Sequence, residues 1–85
     1  MRTKNVVETK GRVLLAAYFG RADALSQRAM SVRLECAQPS ISAWIAGTSR
    51  PEAHLREAIE HITGISALAW RTKDEDALVR RIKKG

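Results

Sequence analysis

Gln38, Pro39, Ser42 and Ala43 are the residues whose types and spacing point to a specific use. A glutamine amide carries a donor and an acceptor side by side, the pair that matches an adenine edge through two hydrogen bonds. A serine hydroxyl bonds a base or a phosphate, and Pro39 and Ala43 are small and apolar enough to touch thymine methyls. On a helical projection of about 100° per residue, these four and Ala46 lie across from Ile41, Trp44 and Ile45. Between positions 36 and 49 no residue is charged. A major groove about 12 Å wide admits a helix whose leading side is slim and free of acids. A helix buried all round would not set Gln38 and Ser42 opposite its apolar side. One docked on a protein would show an aromatic or aliphatic anchor there.

Other chemistries find less to work with. His54 and His61 lie seven apart on one stretch, and Cys36 sits in another element, so no metal site is expected. No Ser/His/Asp spacing, phosphate loop or paired catalytic carboxylate is present, so neither an enzyme nor a cofactor site is expected. Trp44 and Trp70 read as core residues rather than base-stacking platforms. The run Asp74-Glu75-Asp76 reads as the acidic start of a helix. Cys36 is the sole cysteine, which excludes an intramolecular disulfide and fits a reducing cytoplasm. No apolar run approaches the roughly 20 residues of a membrane span, and no signal-peptide core follows the basic start.

The elements that must position these residues are helical. Strand-type alternation is absent, and helical spacing recurs in five segments over 85 residues, enough for one small domain. The first covers residues 6–19, with Leu14, Ala17 and Tyr18 inward, Asn5 and Glu8 as a capping box or Thr9 as a rival cap, and Gly20 as terminator. Gly11 weakens it. The second covers 27–34 behind Ser26 as N-cap, and its Met30 and Leu34 face one way. After a break at 35–37 the third covers 38–46, with Pro39 in its first turn and Gly47 closing it. The fourth covers 52–63, with Leu55, Ala58, Ile59 and Ile62 inward and Gly64 at its end. Residues 66–70 form a single turn packing Leu68 and Trp70. The last helix covers 73–83; its acids come first and Arg80, Arg81, Lys83 and Lys84 last, an order that suits the helix dipole. Leu78, Val79 and Ile82 form its apolar stripe, which either closes the core or contacts a second copy.

Lysine and arginine outnumber aspartate and glutamate by 15 to 9, giving a net charge of +6 and a pI near 10.3. A polyanion is the partner that this balance favours. The third helix contributes none of the charge; Arg28, Arg33 and Arg50 lie around it.

With those residues in view, the chain resembles the lambda-repressor-like family of phage repressors, Cro and XRE-type regulators. Ser26-Gln27-Arg28-Ala29-Met30-Ser31-Val32-Arg33-Leu34 is similar to the family's second helix. Gln38-Pro39-Ser40-Ile41-Ser42-Ala43-Trp44-Ile45-Ala46-Gly47 is similar to its recognition helix and closing glycine. Arg50-Pro51 and the stretch from Arg56 to Glu60 resemble the loop and fourth helix. The resemblance implies an all-α, compact four- to five-helix lambda-repressor-like bundle containing a helix-turn-helix. Residues 6–70 would be the DNA-binding domain and 71–85 a C-terminal helix for packing or dimerisation. It implies that Gln27 and Ser40 bond phosphates beside Arg28, and that Gln38, Pro39, Ser42 and Ala43 face base edges. Thr48, Ser49 and Arg50 would place amides and charge on the opposite phosphate strand. Met30, Leu34, Ile41, Trp44, Leu55 and Ile59 would be core. The sequence departs from the family where Glu35 replaces glycine in the turn and where Ala37 replaces a Ser or Thr cap, each worth on the order of 1 kcal/mol.

The expectation is a cytoplasmic, sequence-specific regulator of transcription of bacterial or phage type. It would be a repressor reading double-stranded DNA as a homodimer, with half-sites about 34 Å apart and no membrane partner. An antitoxin that binds both an operator and a toxin, or a protein-interaction module on the same fold, are the alternatives.

Overall fold

The computed structural model describes residues 6–84, and every element among them is helical. In order these are α1 (Lys10–Phe19), α2 (Gln27–Leu34), α3 (Gln38–Ala46), α4 (Ala53–Thr63), a 3-10 turn (Ala67–Trp70) and α5 (Lys73–Lys84). The five expected helices and the short turn are all present, an all-α bundle.

Helix α1 starts later than its spacing suggested. Thr9 is the cap, accepting from the Arg12 amide at 3.1 Å. Glu8 instead receives two 2.7 Å hydrogen bonds from Arg12, and Asn5 lies outside the described residues. The inward side of α1 also differs: Leu15 is fully buried, whereas Leu14 is 45% exposed and Ala17 is exposed. The cause is Gly11. Its bare backbone lies against the Trp70 ring, which rotates α1 so that Gly11, Leu15 and part of Tyr18 point inward. Counting apolar side chains gives glycine no weight, so the spacing alone turned the helix too far. The Tyr18 hydroxyl then accepts from the Leu25 amide at 2.9 Å and ties down the loop leading to α2.

The core joins Leu15, Met30, Leu34, Ile41, Trp44, Ile59, Ile65 and Trp70. Leu55, expected to be core, is half-buried against it. Helix α1 packs on α3 and on the 3-10 turn, α2 on α3 and α4, and α4 on the turn. Within that turn Trp70 is buried and Leu68 is 60% exposed, so only one of the pair expected to pack there does so. Trp70 therefore closes the core, and α5 does not. No residue of α5 is buried; Leu78 is 49% and Ile82 68% exposed.

Helices α2 and α3 end in the same way, with an amide bonded to the carbonyl five residues back. Cys36 donates to Ser31 at 3.0 Å and Thr48 to Ala43 at 3.1 Å. This closure needs a left-handed residue just after the helix. Gly47 supplies it for α3 at φ 83°, and its backbone is also crowded by Val6 and the Arg12 side chain. For α2 the residue is Glu35, at φ 55° and ψ 44°. The turn has thus kept the geometry that glycine would give and carries the strain. Glu35→Gly should raise the unfolding free energy by about 1 kcal/mol, read from urea denaturation. An unchanged midpoint would show that this turn is relaxed.

Candidate nucleic-acid interface

Helix α3 is held from behind and left open in front. Ile41 and Trp44 anchor it in the core, and Ile45 is half-buried beside them. Its C-terminal end is gripped from the N-terminal segment: Arg12 Nε donates to the Ile45 carbonyl at 2.8 Å, and the Val7 amide to the Gly47 carbonyl at 2.8 Å. Gln38, Pro39, Ser42 and Ala46 are exposed, while Ser40 and Ala43 are half-buried. Ala37 offers no side-chain cap to the first turn, whereas Ser26 caps α2 by accepting from the Ala29 amide at 3.0 Å. The front of α3 therefore carries uncharged side chains, and its first turn, in which Pro39 has no N–H and the Ser40 amide donates to the Ala37 carbonyl at 3.0 Å, has no side-chain cap.

Gln27 and Ser42 are brought together. The Ser42 hydroxyl donates to Gln27 Oε1 at 3.2 Å, joining the start of α2 to the front of α3. That bond uses the acceptor end of the amide, so Nε2, a donor, is the end directed to other acceptors. Arg28 follows, exposed. Beyond α3, Thr48 and Ser49 are exposed, and the Thr48 hydroxyl donates to the Ala43 carbonyl at 3.4 Å.

Arg50 does not join this group. Its Nη1 donates to Glu75 Oε1 at 2.7 Å and to the Trp70 carbonyl at 3.1 Å, so the guanidinium lies at the junction of the 3-10 turn with α5. An arginine stem is long enough to leave the loop where its backbone sits, and the sequence gives its backbone position only. Glu75 is a residue that reading the acidic run by charge alone missed. Its amide donates to Thr72 Oγ1 at 3.1 Å, and its carboxylate accepts from the Thr72 amide at 2.8 Å. This is a capping box, and the Thr-x-x-Glu spacing from 72 to 75 was its signal. Hydrogen bonds from Arg50 and the Thr72 amide hold the Glu75 carboxyl down to a pKa of about 2. Arg12 is a second residue missed; no local spacing announces a contact 33 positions away.

The rest of the surface offers little other chemistry. His54 and His61 are both exposed, and no group of three or more metal-type ligands occurs among the described residues. Burial pushes the Cys36 thiol pKa up, away from the reactive thiolate. Among the described residues no helix is long and apolar enough to cross a membrane. Comparison with protein-family models, curated proteins and solved structures finds no match for this chain.

Proposed function

We propose that the chain is a sequence-specific double-stranded-DNA-binding regulator of lambda-repressor-like type, a cytoplasmic repressor that presents α3 to the major groove as a dimer. The observation that carries this reading is the front of α3: exposed, slim, uncharged and hydrogen-bonded through Ser42 to Gln27 at the start of α2. Gln38 and Ser42, with Pro39 and Ala43, read base edges. Gln27, Arg28, Ser40, Thr48 and Ser49 serve phosphates. The net charge of +6 supplies the non-specific attraction. One domain of this size buries little DNA surface, and Leu78 and Ile82 give a second copy an apolar stripe to pair with.

The same uncovered stripe favours the second reading, an antitoxin whose α5 seats in a toxin while α3 holds the operator. Selection from random duplexes at two salt concentrations tests the first reading. The expected outcome is a palindromic site with half-sites about 34 Å apart, bound more weakly at the higher salt. Retention of no duplex at either salt would exclude DNA binding. Repeating the selection with Leu78→Asp and Ile82→Asp together should leave single half-sites. An unchanged palindrome would remove α5 from the dimer contact.

A further inference from the structure

The start of helix α5 is fastened to the rest of the molecule by polar contacts. No residue of the helix is buried; Leu78 and Ile82 of its apolar stripe lie open, and Val79 is half-buried. At its start, Glu75 Oε1 receives both the Thr72 amide and Arg50 Nη1, and the Trp70 carbonyl receives the same Nη1. Arg71 and Asp76 add a looser pair at 3.7 Å. The Arg50–Glu75 pair is partly open to water, with 27% and 46% of the two side chains exposed. Arg50 belongs to the loop that leaves α3, so a single guanidinium links the exit of that helix to the cap of α5.

We propose that Glu75 is a positioning residue that withholds Arg50 from DNA: Glu75 and a backbone phosphate compete for one guanidinium, so duplex binding loosens the N-terminal cap of α5, away from the Leu78 and Ile82 stripe, and a locked cap weakens duplex binding. This rests on the DNA-binding reading above. Glu75 holds Arg50 through Nη1 alone, short of the two-bond fork that a guanidinium can give a carboxylate or a phosphate. A partly exposed ion pair is a weak hold, and duplex DNA presents one negative charge per roughly 1.7 Å of axis. Sharing Arg50 between both is disfavoured, because it would press the phosphate against the Glu75 carboxylate. Coupling of this kind is reciprocal: what the duplex does to the cap at Thr72 and Glu75, a change that locks that cap does to the duplex affinity.

Glu75→Gln keeps the size of the side chain and removes its charge. It should bind the selected duplex roughly tenfold tighter, the scale of one charge-assisted contact, and steepen the salt dependence by about one unit. Asp74→Asn, in the same turn, makes the same change in net charge and should leave the salt slope as it was. In an Arg50→Ala background Glu75→Gln should change neither affinity nor slope. Exchange of the Thr72 and Glu75 amides, at the cap of α5, should quicken when the wild-type protein binds duplex. A gain from Glu75→Gln no larger than that from Asp74→Asn, or one that persists without Arg50, overturns the competition alone. A wild-type protein that binds no duplex overturns it together with the DNA-binding reading.

Discussion

Gly11→Ala is expected to destabilise the fold by about 2–3 kcal/mol, the upper part of the overpacking range. At an exposed helix position the same change would gain about 1 kcal/mol, because alanine gives up less backbone freedom. Position 11 is the opposite case. A methyl group there would stand 2.6 and 2.7 Å from two carbons of the Trp70 ring, well inside contact distance. Trp70 is fully buried between α1 and α4, so its ring has nowhere to retreat. Moving it would also shift the carbonyl that receives Arg50 and the entry to α5. A domain of this size holds roughly 4–13 kcal/mol in total, at about 0.05–0.15 kcal/mol per residue, so the loss is a large share. Urea denaturation followed by tryptophan fluorescence measures it. Gly20→Ala is the paired control: that glycine sits at φ −82°, and its new methyl would meet only the Ala17 carbonyl at 3.4 Å. It should stay within about 0.5 kcal/mol of the parent. Equal effects at the two positions would mean that Trp70 does not depend on the bare backbone of Gly11.

Gly11 also marks where the sequence stops being legible. Helices α2 and α3 could be bounded from it because Ser26, Pro39 and Gly47 are local signals, each acting within a turn of its own position. The front of α3 was legible in part for the same reason: the period turns Pro39, Ser42, Ala43 and Ala46 away from Ile41, Trp44 and Ile45, whereas Gln38, seven residues before Ile45, lies on the side of Ile45 and is exposed because it opens the first turn. The rotation of α1 was not legible, since it is decided by Trp70, 59 residues away, and glycine leaves no apolar mark in a periodic pattern. The pairing of Arg50 with Glu75 was not legible for a related reason. The backbone position of Arg50 follows from the loop, but a long flexible side chain takes the partner that the tertiary fold brings near, here Glu75. The α5 stripe was visible, yet periodicity cannot say whether an apolar face meets its own core. Trp70 already fills that place, and Leu78 and Ile82 are left outside.

Gln38→Ala is expected to cost about 1–3 kcal/mol of binding at one base pair in each half-site, and little at the others. The substitution is well suited to separating recognition from folding. Gln38 is exposed at the first position of α3, and its side chain makes no hydrogen bond among the described residues. Alanine is also the better helix former, so the helix should stand. The loss then belongs to the bond pair between the amide and the base edge. Titration of the selected duplex, and of a set with single base-pair changes, reads it: the mutant should stop distinguishing bases at one position and keep its preferences elsewhere. The salt slope should not move, because a neutral amide displaces no counterion. Ser42→Ala makes a useful contrast, since it also frees Gln27 Oε1 and should disturb the phosphate side as well as the base side. A uniform loss over all sequences on Gln38→Ala would make the residue a backbone contact. No loss at all would mean that α3 does not read bases from its N-terminal end, and the slim front of the helix would need another occupant.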